Sequence, residues 1–369
     1  MEYRTLGRSG LIVSAFGLGS MQFGQGMNMG SLDQAATTDM VKFALDHGIN
    51  FIDTADVYSR GQSETQLGVA LKGLRDEVVL ASKFRLPMSD TDVNRSGATR
   101  VNILRGIESS LKRLGTDHLD LYQVHGWDSH TPLEETLSTL NDLVRRGLVR
   151  HIGLSNYLAW QAATALGVQE RRGWEPFVTA QLYYSLVGRE LEHEWLDLAR
   201  YSGLGVLVWS PLAGGYLSAK YDRPEDAPEG TRFGEAGQFV PFDWDRGRPV
   251  LAALRKVARR LGVTPAQVAL KWTVSQPGVS SVIIAARSTG RLGENIAALE
   301  IQLSDEDRRE LDEAGHPGTP YPKWMMLQLD QAEDPRTRAL EPELFTSGEV
   351  WKDLRKGEQK QSGGHTELS

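Results

Sequence analysis

Cysteine is absent from the 369 residues, which removes disulfide frameworks, thiolate metal centres and cysteine nucleophiles together. No apolar run approaches the eighteen or so residues of a spanning helix, and Met1-Glu2-Tyr3-Arg4 lacks the basic-then-apolar pattern of a secretory leader. Positive charge is also short. Lys and Arg number 41 against 48 Asp and Glu, the formal charge is -7, and no basic run reaches five residues, which disfavours nucleic acid and anionic membrane surfaces. These absences predict a cytoplasmic protein whose partners are neither nucleic acid nor membrane. What is there is a globular composition, 40% hydrophobic and 24% charged, enough to bury a full core in one large domain or two of ordinary size.

Order along the chain is dominated by alternation. Two short extended segments flank Gly7-Arg8-Ser9-Gly10, which suits a hairpin. Strands are then expected at 13–18 and from 51, 78, 119, 151, 177, 205 and 281, each followed by a helical pattern. Val101, Leu104, Ile107, Leu111 and Leu114 recur at steps of three and four, Ser63 is placed to cap a helix through Leu71, and Thr131-Pro132-Leu133-Glu134 reads as a capping box. Helices are also expected from Pro249 and after Thr264-Pro265. Eight such units with connections too long for hairpins predict an α/β fold, a (β/α)8 TIM barrel with an N-terminal hairpin and a C-terminal extension. The competing open doubly wound sheet lacks its fingerprint, because residues 17–22 carry Gln22 where the third glycine belongs. We expect the barrel over residues 1–327 and a partly disordered extension over 328–369, with a Gly- and Pro-rich insert at 210–248 of the length that functional lids have.

Three successive strands end in proton-handling side chains: Asp53, Lys83 and His125, with Tyr58 five residues beyond the first. In a parallel barrel the active site lies at the C-terminal face, so these four residues are expected to form one site. His125 with Asp128 and His130 could suggest a metal, but a metal-dependent barrel hydrolase usually places paired histidines at the end of strand one. Residues 16–19 read FGLG. No metal is expected.

FIDTADVY (51–58), ASKF (81–84), LYQVH (121–125), GLSN (153–156), WSPLAGG (209–215) and AARSTGRLGEN (285–295) stand in the order and spacing of the aldo-keto reductase family, which the chain resembles over residues 3–327. The resemblance implies a barrel enzyme that moves hydride between NADPH and a carbonyl, with Tyr58 as general acid/base. The chemistry is coherent: tyrosine, with a reference pKa of about 10, is a weak acid at neutral pH and needs a stabilised phenolate. Lys83 can supply the cation, Asp53 can hold Lys83, and His125 can hydrogen-bond the carbonyl oxygen or relay the proton.

By the same resemblance Ser155, Asn156 and Gln181 grip the nicotinamide carboxamide, Tyr184 stacks on the ring, and Ser20 and Met21 meet its ribose, with Asp53 beside them. Trp209, Ser210, Pro211, Leu212 and Gly214 begin the loop over the pyrophosphate, with Lys220 and Arg232 as phosphate contacts. Ala286, Arg287, Ser288 and Arg291 surround the adenosine 2′-phosphate, while Glu294 and Asn295 touch adenine. Two arginines and a hydroxyl favour NADPH over NADH, although Ala285 and Ala286 stand where a cation is common in the family, which leaves the phosphate mainly to Arg287 and Arg291. Phe23, Arg85 and Trp127 are the candidate substrate contacts, for an aldehyde or ketone or the matching alcohol. The alternative is a redox-sensing, nucleotide-holding regulatory subunit with little turnover, since channel β-subunits share this barrel.

Overall fold

A computed structural model describes residues 1–26, 30–223, 226–227 and 240–331. The chain divides into two compact units, Met1–Pro317 and Gly318–Ser369. The first is the barrel. Of the second, the described part contains the helix Lys323–Gln331, and the expected boundary at 327 falls inside that helix.

The N-terminal hairpin pairs β1 (Tyr3–Thr5) antiparallel with β2 (Ile12–Ser14). Eight parallel strands then close into a barrel: β3 (Phe16–Gly19), β6 (Phe51–Asp53), β7 (Val79–Phe84), β8 (Leu119–Val124), β9 (Val149–Ser155), β10 (Phe177–Tyr183), β11 (Gly205–Trp209) and β12 (Val279–Ile284), the last returning to pair with β3. The expected strand at 13–18 is thus divided between the hairpin and the barrel. A second hairpin, β4 (Gly24–Gly26) with β5 (Gly30–Leu32), carries no alternating apolar pattern and was not anticipated.

Side chains of each strand alternate between two apolar regions, as the pleat requires. Phe51, Val79, Ala81, Leu121 and Leu207 point into the barrel, where Leu6 and Val13 of the hairpin join them. Ile52, Leu80, Tyr122, Ile152, Ala180, Leu182, Val206, Val208 and Val282 point outward under the helices. Each fully buried side chain of this size contributes roughly 1.5–3 kcal/mol. The interior is tight: a Cβ on Gly17 would lie 2.5 Å from Phe51 Cδ1, so the bare backbone of β3 is what admits that ring.

The helices form largely where their apolar periodicity and caps place them. Thr99 accepts from Asn102 N to open the helix Arg100–Leu114, and Gly115 ends it at φ 64°. Its buried face is Ile103, Ile107 and Leu114, whereas Val101 is exposed. Three signals resolve differently. Ser63 lies inside the helix Gln62–Ala70 and donates to Ser20 O at 2.8 Å instead of capping. Thr131 does not cap the helix Leu133–Arg145, because its hydroxyl is bonded to Asp128 Oδ2 at 2.6 Å. The helix Trp244–Leu261 begins before Pro249: Asp243 caps it through Asp245 N and Arg246 N. Pro249 is the sixth residue of this helix, so its missing N–H leaves the carbonyl of Asp245, four residues back, without its helical donor.

Candidate active site

Strand alternation explains how a polar site arises on an apolar barrel. Inward positions read Phe51 then Asp53 on β6, Ala81 then Lys83 on β7, and Leu121, Gln123 and then His125 just past β8, so each strand turns polar at its C-terminal end. The result is a buried network. Lys83 Nζ donates to Asp53 Oδ2 at 2.5 Å, to Thr54 O at 2.9 Å and to Tyr58 Oη at 3.5 Å. Asp53 Oδ1 accepts from Gln181 Nε2 at 2.7 Å and from Gln123 Nε2 at 3.2 Å. His125 stands edge-on to Tyr58, ring centroids 5.9 Å apart.

Burial opposes a charge on Lys83, but Asp53 and then Tyr58 outweigh it, and the ammonium is held above its ordinary pKa. Burial, with Lys83 and Arg85 nearby, drives His125 well below the usual imidazole range. At neutral pH the site therefore combines a buried cation, its carboxylate and a neutral imidazole around one phenol. An ammonium beside a phenolic oxygen stabilises negative charge there, which is what a tyrosine needs to give up a proton.

A cavity of about 430 Å³ opens on this network. Its walls include Ser20, Met21, Asp53, Tyr58 and His125, and the stretch from Trp209 through Leu212 with Gly214. Ser155, Asn156, Gln181 and Asn295 also line it, as do Gln22, Ser59, Leu86, Leu270 and Ile283, which the sequence reading did not single out. Asn156 ties two strand ends together, donating to His125 O at 2.9 Å and accepting from Trp209 Nε1 at 3.1 Å. Asn156 and Ser210 both adopt φ 54°, a left-handed backbone that persists where the surroundings over-determine it. Amide and hydroxyl groups beside the flat indole of Trp209 suit a planar heterocycle bearing a carboxamide, so these residues fit the nicotinamide end of a dinucleotide.

Other expected contacts lie elsewhere. Tyr184 is a correction: its ring is fully buried, packs against Trp272 at 5.4 Å and donates to Glu192 Oε1 at 2.6 Å. It stands outside the cavity because it breaks the inward parity of Thr179 and Gln181. Tyr183 keeps that parity and packs on Trp209 at 5.2 Å, but it does not line the cavity either. Phe23 is 1% exposed within the core, with its carbonyl bound by Ser59 Oγ at 3.0 Å, so it presents no surface to a substrate. Arg85 donates to Trp127 O at 2.9 Å and Trp127 packs edge-on against Tyr157 at 5.1 Å; neither lines the cavity.

Lys220 is exposed and outside the cavity wall, and Arg232 lies outside the described residues. Ala286 is buried, while Arg287, Ser288, Arg291 and Glu294 are exposed beyond the cavity. Ser288 caps the helix Thr289–Ile296, and Arg291 pairs with Glu294. Asp128 accepts from Ala98 N, His130 N and Thr131 Oγ1, which makes it a loop anchor. Among the described residues there is no group of three or more His, Asp or Glu side chains that could hold a metal ion, and no helix is long and apolar enough to cross a membrane.

A closed parallel barrel with a buried carboxylate–ammonium–phenol network and a neutral imidazole under one cavity is an arrangement able to pass a proton to a small molecule. Residues 15–316 match the Aldo/keto reductase family. The chain is 38% identical over 323 residues to an uncharacterised oxidoreductase, YrpG, of Bacillus subtilis, covering 85% of this chain and 95% of that protein. It is 33% identical over 343 residues to a versiconal hemiacetal acetate reductase of Aspergillus parasiticus, covering 86% and 99%. It is also 35% identical over 325 residues to a putative voltage-gated potassium channel subunit beta of Schizosaccharomyces pombe, covering 85% and 93%. The chain belongs to the aldo/keto reductase family of oxidoreductases.

Proposed function

We propose that the protein is an NADPH-dependent oxidoreductase that interconverts an aldehyde or ketone with its alcohol, with Tyr58 as the general acid/base. The observation that carries this reading is the fully buried Lys83 Nζ, 2.5 Å from Asp53 Oδ2 and 3.5 Å from Tyr58 Oη, behind a cavity whose wall includes Asp53, Tyr58 and His125. A reduced nicotinamide held by Ser155, Asn156, Gln181 and Trp209 supplies the hydride. Tyr58 gives its proton to the substrate oxygen as negative charge develops there, and Lys83 offsets the charge left on the phenol. His125, neutral, orients the oxygen by a hydrogen bond without competing for the proton. In the oxidative direction the same groups act in reverse. Arg287, Ser288 and Arg291 are the proposed contacts of a 2′-phosphate, Arg291 exchanging its bond with Glu294 for the anion.

The test is a fluorescence titration with NADPH and, separately, NADH, Trp209 being the reporter indole in the cavity. Tighter NADPH binding that weakens in Arg291→Ala is expected, followed by turnover of carbonyls that falls about 10²–10⁴-fold in Tyr58→Phe with nucleotide affinity retained. If neither nucleotide binds saturably, the reading fails. Similarity to a putative voltage-gated potassium channel subunit beta supports a second reading, a nucleotide-holding regulatory subunit; tight binding without turnover over a broad carbonyl panel would favour it.

A further inference from the structure

Gln123 is a fully buried amide in the barrel interior, outside the cavity wall. It is bonded to a residue of the catalytic network but placed to touch neither substrate nor nucleotide. Register puts it beside Lys83 on one neighbouring strand and beside Gly153 on the other, with Thr179 next across Gly153. The missing side chain at Gly153 is what admits it: a Cβ there would lie 3.2 Å from Gln123 Cγ and 2.2 Å from Thr179 Oγ1. The stem of Gln123 therefore uses space that a larger neighbour would deny, and its amide reaches Asp53 Oδ1 at 3.2 Å.

Only the N–H edge of an amide can meet a carboxylate oxygen, so Asp53 fixes the orientation of Gln123. That orientation has a cost. Gln123 Oε1 is buried without a hydrogen-bond partner among the described residues, and so is Thr179 Oγ1. A leucine would fill comparable space with no orphaned oxygen, and burying an unpaired acceptor is unfavourable. The amide is useful at this position through its one bond to Asp53. Gln181 makes a second such bond to the same oxygen at 2.7 Å, but Gln181 lines the cavity and loses freedom to act on Asp53 alone once it also serves a bound nucleotide. The charged and titratable groups around Asp53 are Lys83 and Tyr58, with His125 and Arg85 beyond them.

We propose that Gln123 is a positioning residue: its N–H holds Asp53 as an anion aimed at Lys83 whether or not the nucleotide site is filled, and so keeps the Lys83–Tyr58 contact set. The kinetic part of this inference rests on the oxidoreductase reading, whereas the stability part does not.

The test compares the full-length wild type with Gln123→Met, close in shape without a donor, and Gln123→Glu, close in shape with an acceptor that must share a proton with Asp53. Thermal melts from pH 3.5 to 8 give the first arm. The loss in Gln123→Met is expected to be larger at pH 8 than at pH 3.5, because the bond removed is one to an anion, with Gln123→Glu showing a steeper growth. A loss of equal size at every pH in both variants means that Gln123 merely fills space, and overturns the proposal. In the second arm, the acid limb of kcat for alcohol oxidation is expected to move up by about one pH unit in Gln123→Met, with KM for the nucleotide within about twofold of wild type. A kcat that falls equally at all pH values, with the limb unmoved, also overturns it. Absence of turnover in the wild type sinks the oxidoreductase reading and leaves the melts to decide on Gln123.

Discussion

Asp56 offers the most direct test of the electrostatics beneath the site. It is 2% exposed, its Oδ1 has no hydrogen-bond partner among the described residues, and its backbone N donates to Lys83 O at 3.1 Å. Burial, with Glu64 adding repulsion and Arg113 only partly offsetting it, pushes the carboxyl from 3.8 up to about 8. Glu64 is already committed to Ser82 Oγ at 2.6 Å and Arg113 Nε at 2.7 Å, so Asp56 is the partner that stays protonated. The sign follows from linkage. Between pH 4 and 8 the unfolded chain has lost this proton and the folded chain has kept it, so stability falls as pH rises, by about 1.4 kcal/mol for each unit. Asp56→Asn removes the titration at nearly constant shape. The variant is expected to match wild type near pH 4 and to exceed it by several kcal/mol at pH 8. Urea denaturation followed by circular dichroism at unit steps of pH gives the difference directly. Parallel stability profiles for the two proteins across that range would refute the argument, because a carboxyl with equal proton affinity in both states contributes no slope.

Three further outcomes follow from the same network. Lys83→Met leaves Asp53 buried opposite no cation and should cost about 3–5 kcal/mol at neutral pH, read from chemical denaturation. Because the ammonium is held above its ordinary value of 10.5, the stability it contributes is complete at neutral pH and is lost only as pH rises beyond that value, so wild type should show no Lys83-linked decline between pH 7 and 10. His125, held well below 6.5 by burial first and Lys83 next, is neutral in the folded state while the unfolded chain takes up a proton. Stability should therefore drop as pH falls below about 6.5, and His125→Gln should flatten that part of the profile in calorimetric melts.

Much of the barrel is legible in the sequence because one rule writes most of it. Inward positions along a strand are two residues apart, so FID, VLASK and LYQVH announce both an apolar interior and a polar end within a few letters. The four proposed catalytic residues share that legibility, since each lies on or just after one strand. The readings that went astray depend on partners far away in sequence. Ser63 and Thr131 carry ordinary capping chemistry but are diverted to Ser20 and Asp128. The start of the helix Trp244–Leu261 is hidden by Pro249, because the Asp243 cap outweighs the proline signal. Tyr183 and Tyr184 are equivalent as letters, yet one packs on Trp209 and the other on Trp272, with Tyr184 sealed in the core. The role of Gln123 depends on Gly153 and Thr179 standing next to it across the sheet, an adjacency that no local pattern encodes.

The N-terminal hairpin has a consequence for the order in which the molecule can be made. Arg4 Nη1 donates to Val274 O at 2.7 Å and to Val279 O at 2.9 Å, Arg8 N donates to Gly203 O at 2.8 Å, and Thr5 O accepts from Ser280 Oγ at 3.0 Å. The hairpin, made before any barrel strand, thus finds its anchors only in segments made late, from Gly203 to Ser280. Until then Leu6 and Val13 have no closed interior to enter, and the growing chain carries an unsealed apolar floor. A chain stalled before residue 280 would expose that floor for as long as the stall lasted, which makes the arrival of β12, and not of the seven strands before it, the moment at which this barrel becomes watertight.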